Sequence, residues 1–176
     1  MWSTEHSVET TVAPEAIWVT WAEVQRWPEW DAGVTRAELS GPFVAGSTIT
    51  MTPRGQDPVQ LRLSEVVGGV RFVDEATLGG TVVRVSHSLE RLDAARTRVV
   101  HRLESTGPLA EQIGSAVSAD FAETLQALVE HAARLDSAAR ARAASRRGRR
   151  AVPAFCSGAS RFPGSARSPA RLRQRD

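Results

Sequence analysis

The 176-residue chain contains no lysine, no tyrosine and a single cysteine. One thiol excludes an intramolecular disulfide, and Cys156 stands apart from any cysteine cluster that would hold a metal. No apolar run approaches the roughly 18 residues that a membrane-spanning helix requires. Residues 1–12 mix charges with alternating side chains and lack the apolar stretch of a secretion signal. These absences favour a cytoplasmic protein. No nucleophile elbow, phosphate loop, metallohydrolase motif or dinucleotide fingerprint occurs, so neither a cofactor nor a metal is expected.

Without lysine, the basic charge is all arginine, and it is unevenly spread. Residues 1–136 carry eleven arginines against nineteen acids, whereas residues 137–176 carry eleven against one. The formal charge of +2 therefore belongs to a tail and hides an acidic domain. That distribution argues against a specific nucleic-acid-binding fold. Beyond Asp136 the composition narrows to Arg, Ala, Ser, Pro and Gly, too poor in large apolar groups to offset the entropy of ordering. The tail is thus expected to be disordered, with its first turns, to about Arg147, able to prolong a preceding helix. It is either a weak contact for polyanions or anionic lipid, or an uncommitted extension.

The acidic part changes period along its length. Thr4, His6, Val8, Thr10 and Val12 alternate with polar residues and predict a strand with one buried face. Ala13 and Pro14 end it, and Pro14 suits the opening of a helix to about Val24. A second short helix is expected from Trp27 to Ala32, closed by Gly33. Period-two runs then predict strands at 35–40, 47–53, 59–67, 70–77, 81–92 and 96–105, separated by glycine- and proline-bearing turns. After Gly107 and Pro108 the period lengthens. Leu109, Ile113, Val117, Phe121, Leu125, Leu128 and Ala132 form one stripe on a long helix, which Gly114 weakens near its start. Short connections between consecutive strands require an antiparallel meander, and one long helix buries its stripe in the curve of that sheet. The fold class is α+β.

All five tryptophans fall within the first 30 residues. Trp18 and Trp30 are read as an aromatic wedge holding the short helices under the long one, and Trp21 and Trp27 as borders of a cavity. Two further segments, His87-Ser88-Leu89-Glu90 and His101-Arg102-Leu103-Glu104, share a His-x-Leu-Glu pattern on neighbouring predicted strands. The register that opposes Glu90 to Arg98 also opposes Arg84 to Glu104. A slip of two residues one way sets Arg84 against Arg102, and the other way leaves Glu90 facing Val100. The favoured register makes His87 and His101 direct neighbours on the inward face, Cβ atoms about 5 Å apart, with Leu89 by Val99 and Val85 by Leu103. His6 falls on the same side if the first strand pairs with the last. Ser86 and Ser88 face outward, so no serine triad forms. Glu65 and Asp74 are assigned to the solvated rim, because an unpaired carboxylate is costly to bury.

The order of elements and several short segments resemble the helix-grip superfamily of START domains, polyketide cyclases and birch-pollen-allergen-like proteins, and within it the bacterial polyketide cyclase/dehydrase and lipid transport branch. The segments are Ala13, Pro14, Glu15, Ile17 and Trp18; Trp27, Pro28, Glu29, Trp30 and Asp31; His101 to Glu104; and Gly107, Pro108, Leu109 and Ala110. The likeness spans about residues 3–135. It implies a curved seven-stranded antiparallel sheet wrapped around a long C-terminal helix, with two short helices after the first strand and a cavity between sheet and helix. The expected lining is Trp21, Trp27, Ile49, Met51, Leu61, Leu63, Phe72, Val83, Val85, His87, His101, Leu103, Val117 and Phe121. The leading expectation is binding or carriage of a small hydrophobic molecule: a lipid, polyketide or isoprenoid-like compound. A cyclase or dehydratase using His87 or His101 as acid or base is one alternative, and an interaction or co-chaperone module with a filled core is another.

Overall fold

The computed structural model describes residues 1–150, with side chains through Arg146. β1 (Trp2–Thr10) is followed by α1 (Pro14–Ala22) and a 3-10 turn (Val24–Glu29). The meander then runs β2 (Val34–Ser40), β3 (Thr48–Pro53), β4 (Val59–Val67), β5 (Arg71–Leu78), β6 (Thr81–Arg91) and β7 (Thr97–Thr106). Two helices close the order, α2 (Ala110–Val117) and α3 (Phe121–Arg150). The seven strands form one antiparallel sheet in the order β1-β7-β6-β5-β4-β3-β2, so the first strand closes beside the last. This is the expected helix-grip arrangement.

Most strand bounds fall within a residue of the sequence reading, and two elements near the N-terminus differ by more. β1 starts at Trp2 and stops at Thr10, whose hydroxyl accepts the Val12 N–H at 3.1 Å and turns the chain toward α1. The second short helix is a 3-10 turn placed earlier, over Val24–Glu29. It cannot extend to residue 32 because the Asp31 carboxylate takes the Gly33 N–H at 2.8 Å, an Asx turn that competes with helix.

The largest departure is in the long helix. The predicted stripe is continuous in sequence but divided between α2 and α3 at residues 118–120. Ser118 ends α2 by donating both its N–H and its hydroxyl to the Gly114 carbonyl, at 3.0 and 2.9 Å. Gly114 also has a role the sequence reading missed. A Cβ there would lie 2.4 Å from Cε3 of Trp2, so the bare backbone is what lets α2 settle on β1. The break aims the two halves at different parts of the sheet. Ile113 and Val117 pack with Trp2 on Val83, Val85, Leu103 and Phe121, while Leu125, Leu128 and Ala132 join Ile17, Trp21, Ile49, Leu63 and Val99 in the main core.

α3 continues through Arg150, beyond Asp136, with an Arg140–Asp136 contact of 2.9 Å one turn apart. The expectation for residues 151–176 lies outside the described residues. No helix among the described residues is long and apolar enough to cross a membrane.

Candidate functional site

The β6–β7 hairpin adopts the register that charge pairing predicts: His87 opposite His101, Glu90 opposite Arg98, Arg84 opposite Glu104, Leu89 opposite Val99. Glu90 and Arg98 approach to 3.7 Å. Arg84 and Glu104 do not pair. Arg84 reaches sideways to Glu75 on β5 at 3.3 Å, and Glu104 takes Arg102 of its own strand at 3.0 Å. Exposed ion pairs differ little in energy, so register does not decide which partner a long arginine takes.

β1 sets His6 opposite His101, and three imidazoles therefore sit on adjacent strands at one level of the sheet. His101 is 3% exposed, and neither ring nitrogen has a hydrogen-bond partner among the described residues. Burial pushes its pKa well below the ordinary 6.5, and the neighbouring His87 and then His6 push it the same way. His101 is consequently neutral at pH 7, with one N–H to give and one lone pair to accept. Its ring lies edge-on to Phe121, with centroids 5.4 Å apart. Among the described residues no three His, Cys, Asp or Glu side chains group as a metal site.

His87 has a partner that the sequence reading placed elsewhere. Its Nε2 lies 2.8 Å from Oδ2 of Asp74, and Asp74 is 6% exposed on the inner face, not at the solvated rim. Pairing with an imidazole removes the objection to burying that carboxylate. The signal was present in the β5–β6 turn. Gly79 and Gly80 both have positive φ, 55° and 81°, as a two-residue hairpin of this kind requires. That turn fixes Leu78 opposite Thr81, hence Asp74 opposite Val85 and Phe72 opposite His87. Asp74 and His87 are then diagonal neighbours on one face. Glu65 does lie outward, against Arg71, after a bulge between Leu63 and Glu65 resets the strand.

These groups line a cavity of about 460 Å³ between the sheet, the 3-10 turn and the α2–α3 junction, a volume suited to a small-molecule guest. Of the predicted lining, Trp21, Trp27, Met51, Leu61, Phe72, Val83, Val85, His87, His101, Val117 and Phe121 border it. Ile49, Leu63 and Leu103 do not. All three are fully buried, the first two in the main core and Leu103 in the smaller cluster. Alternation gives the face of a strand correctly but not the level at which a helix closes over it. Trp18 and Trp30 pack on the main core that joins α1, the 3-10 turn and α3, and Trp18 meets Trp21, Phe43 and Phe72 edge-on at 6.4, 5.9 and 6.3 Å. Trp27 is held by its indole N–H, which donates to the Trp21 carbonyl at 2.9 Å.

The lining also includes residues that alternation did not select: Asp31, Gly33, Arg54, Gln56 and Asp120, from loops and strand ends. Burial raises the pKa of Asp31, and the Asp120 charge adds to this against the Gly33 N–H, which lowers it. Arg54 braces this turn, donating its backbone N–H to Gly33 and its Nε–H to Ala32 at 2.7 and 2.8 Å.

A curved antiparallel meander gripping a C-terminal helical segment over a cavity defines a helix-grip protein. No family model matches this chain, and no curated protein matches it by sequence. Solved structures match it in shape. The Zhui aromatase/cyclase from Streptomyces sp. R1128 is 14% identical, with a TM-score of 0.61 over 76% of this chain and 94% of that one. A START superfamily protein from Mycobacterium smegmatis has the same identity and TM-score, over 76% and 98% of the two chains. Norcoclaurine synthase from Thalictrum flavum, solved with dopamine and hydroxybenzaldehyde, is 12% identical with a TM-score of 0.59, over 73% and 84%. At these identities the likeness establishes the helix-grip fold.

Proposed function

We propose that this protein binds a small, largely apolar molecule, of lipid, polyketide or isoprenoid-like character, bearing a carbonyl or hydroxyl group. The observation that carries the reading is His101: a neutral, buried imidazole whose two nitrogens have no partner among the described residues, in the wall of an otherwise mostly apolar cavity. A buried polar group without a partner costs roughly 1–3 kcal/mol, and a guest oxygen that accepts its N–H recovers that cost. Phe72, Phe121, Trp21 and Trp27 supply flat apolar walls against which a ring system packs. The solved neighbour holding dopamine and hydroxybenzaldehyde supports a fold of this kind accepting small aromatic guests. The cavity weighs against the filled core that an interaction module would have. Every lining residue precedes residue 125, which supports assigning ligand binding to residues 1–136.

The test is calorimetric titration of the full chain with 1-tetralone, a bicyclic aryl ketone. The expected result is one site per chain, lost by at least tenfold in Val85→Phe, which fills the cavity from β6. Binding unaffected by Val85→Phe, or no binding of 1-tetralone or of related fused-ring alcohols, would overturn the proposal.

A further inference from the structure

Binding alone leaves one feature of the cavity unused, the Asp74–His87 pair. A carboxylate only accepts hydrogen bonds, so in a neutral imidazole the 2.8 Å contact places the hydrogen of His87 on Nε2 and the lone pair on Nδ1. Nδ1 is buried and has no partner among the described residues. The ring is fixed on both sides: Phe72 stacks on it at 4.2 Å and 5° from parallel, and His101 meets it at 4.4 Å and 78°. His101, its ring centre 4.4 Å from that of His87, adds a neutral N–H donor to the same chamber. A base oriented by a carboxylate, a neighbouring hydrogen-bond donor and an apolar chamber together suit proton removal beside a carbonyl group.

We infer that the cavity is a site of enolisation, in which His87, positioned by Asp74, takes a proton from the carbon α to the carbonyl of an apolar ketone while His101 donates a hydrogen bond to the carbonyl oxygen. The inference rests on the proposed binding function. The C–H bond breaks, its electron pair forms the C=C bond of the enolate, and the carbonyl π pair moves to oxygen. The proton resides on Nδ1 of His87, and the resulting imidazolium lies against the Asp74 carboxylate. Its return to the same carbon exchanges the proton; its return to another carbon of an extended enolate moves a double bond. Neither outcome consumes an oxidant, a reductant or a second substrate. His87 and His101 are the catalytic residues, and Asp74 is a positioning residue.

The experiment is proton–deuterium exchange at C2 of 1-tetralone in D2O with the full chain, followed by NMR, beside the calorimetric affinity for the same ketone. The expected wild-type exchange exceeds buffer by about 10²-fold or more, the range of general-base catalysis. With each protein saturated by the ketone, His87→Gln should return the exchange to background, and Asp74→Asn should lower it at least tenfold. The imidazole ¹⁵N spectrum of wild-type protein, which needs no variant to fold, should show His87 as the Nε2–H tautomer. Asp74→Asn should shift that balance. Binding of 1-tetralone with exchange at the buffer rate, or a wild-type Nδ1–H tautomer, would overturn the inference and leave the binding function standing. Failure to bind would overturn both.

Discussion

The two ends of the concave face follow opposite rules. Under α1 and the middle of α3, Ile17, Val24, Ile49, Leu63, Val99, Leu125 and Leu128 are at most 1% exposed and close into solid packing. Where α2 meets α3, the helical segment breaks, Val117 and Phe121 stand over β5 to β7, and the space between them stays open. The first region spends every apolar side chain on cohesion. The second keeps a cavity and leaves imidazole nitrogens without a partner among the described residues, both of which lower stability. A chain that needed only to fold would fill the second region as it fills the first. Under the proposed binding function, the difference marks where stability gives way to recognition.

The sharpest way to break this comparison is to delete the same kind of apolar mass from each region. Leu128→Ala should cost about 2–5 kcal/mol in denaturant unfolding and leave 1-tetralone affinity unchanged. Phe121→Ala removes a larger side chain but enlarges an existing space, so it should cost less than the roughly 3–5 kcal/mol of a packed phenylalanine while altering affinity. Equal costs and unchanged affinity in both variants would erase the distinction. Gly114→Ala probes the junction between them. With its Cβ forced onto Trp2, it should lose about 1–3 kcal/mol, read as a fall in melting temperature.

Protonation separates the regions more finely. Below pH 6.5 the unfolded chain protonates His101 while the folded protein resists, because burial holds the folded pKa down. Wild-type stability should therefore fall as pH falls from 6.5, by up to about 1.4 kcal/mol per pH unit from this group, with no contribution above 6.5. His101→Leu removes that slope, so its stability relative to wild type should grow as the pH is lowered toward 5. His131, whose pKa is lowered chiefly by its burial on α3, retains its own slope in both proteins. A stability difference that is flat with pH would contradict a neutral, buried His101. The smallest effect should come from truncation after Asp136. The last fully buried core residue of α3 is Ala132, and melting should move by only about a degree or two.

The same contrast governs what was legible in the sequence. Strand faces and hairpin registers follow from alternation, turn chemistry and charge pairing over a few residues, so the His87–His101 pairing could be read directly. Asp74 was legible in principle through the Gly79–Gly80 turn, but assigning it by the cost of an unpaired carboxylate overlooked the partner that the turn delivers. The break at Ser118 was not legible. Apolar spacing from Ile113 to Leu125 continues smoothly across it, while the features at the break are the tertiary approach of Gly114 to Trp2 and a local bond from the Ser118 hydroxyl to the Gly114 carbonyl, neither of which the apolar pattern reports. The cavity inherits that illegibility. Ile49, Leu63 and Leu103 point inward as alternation requires, but helices close over them, and only the course of those helices separates filled from open space.

The central claim is that a small apolar guest sits in the open region against His101. Isotope-filtered nuclear Overhauser spectra of the full chain with unlabelled 1-tetralone test it most directly. Cross-peaks from the guest to the ring protons of His101 and Phe121 and to the methyls of Val83 and Val85 are the predicted result. Cross-peaks confined to the exposed Val44, Val67 and Val70, with none to His101, would contradict it.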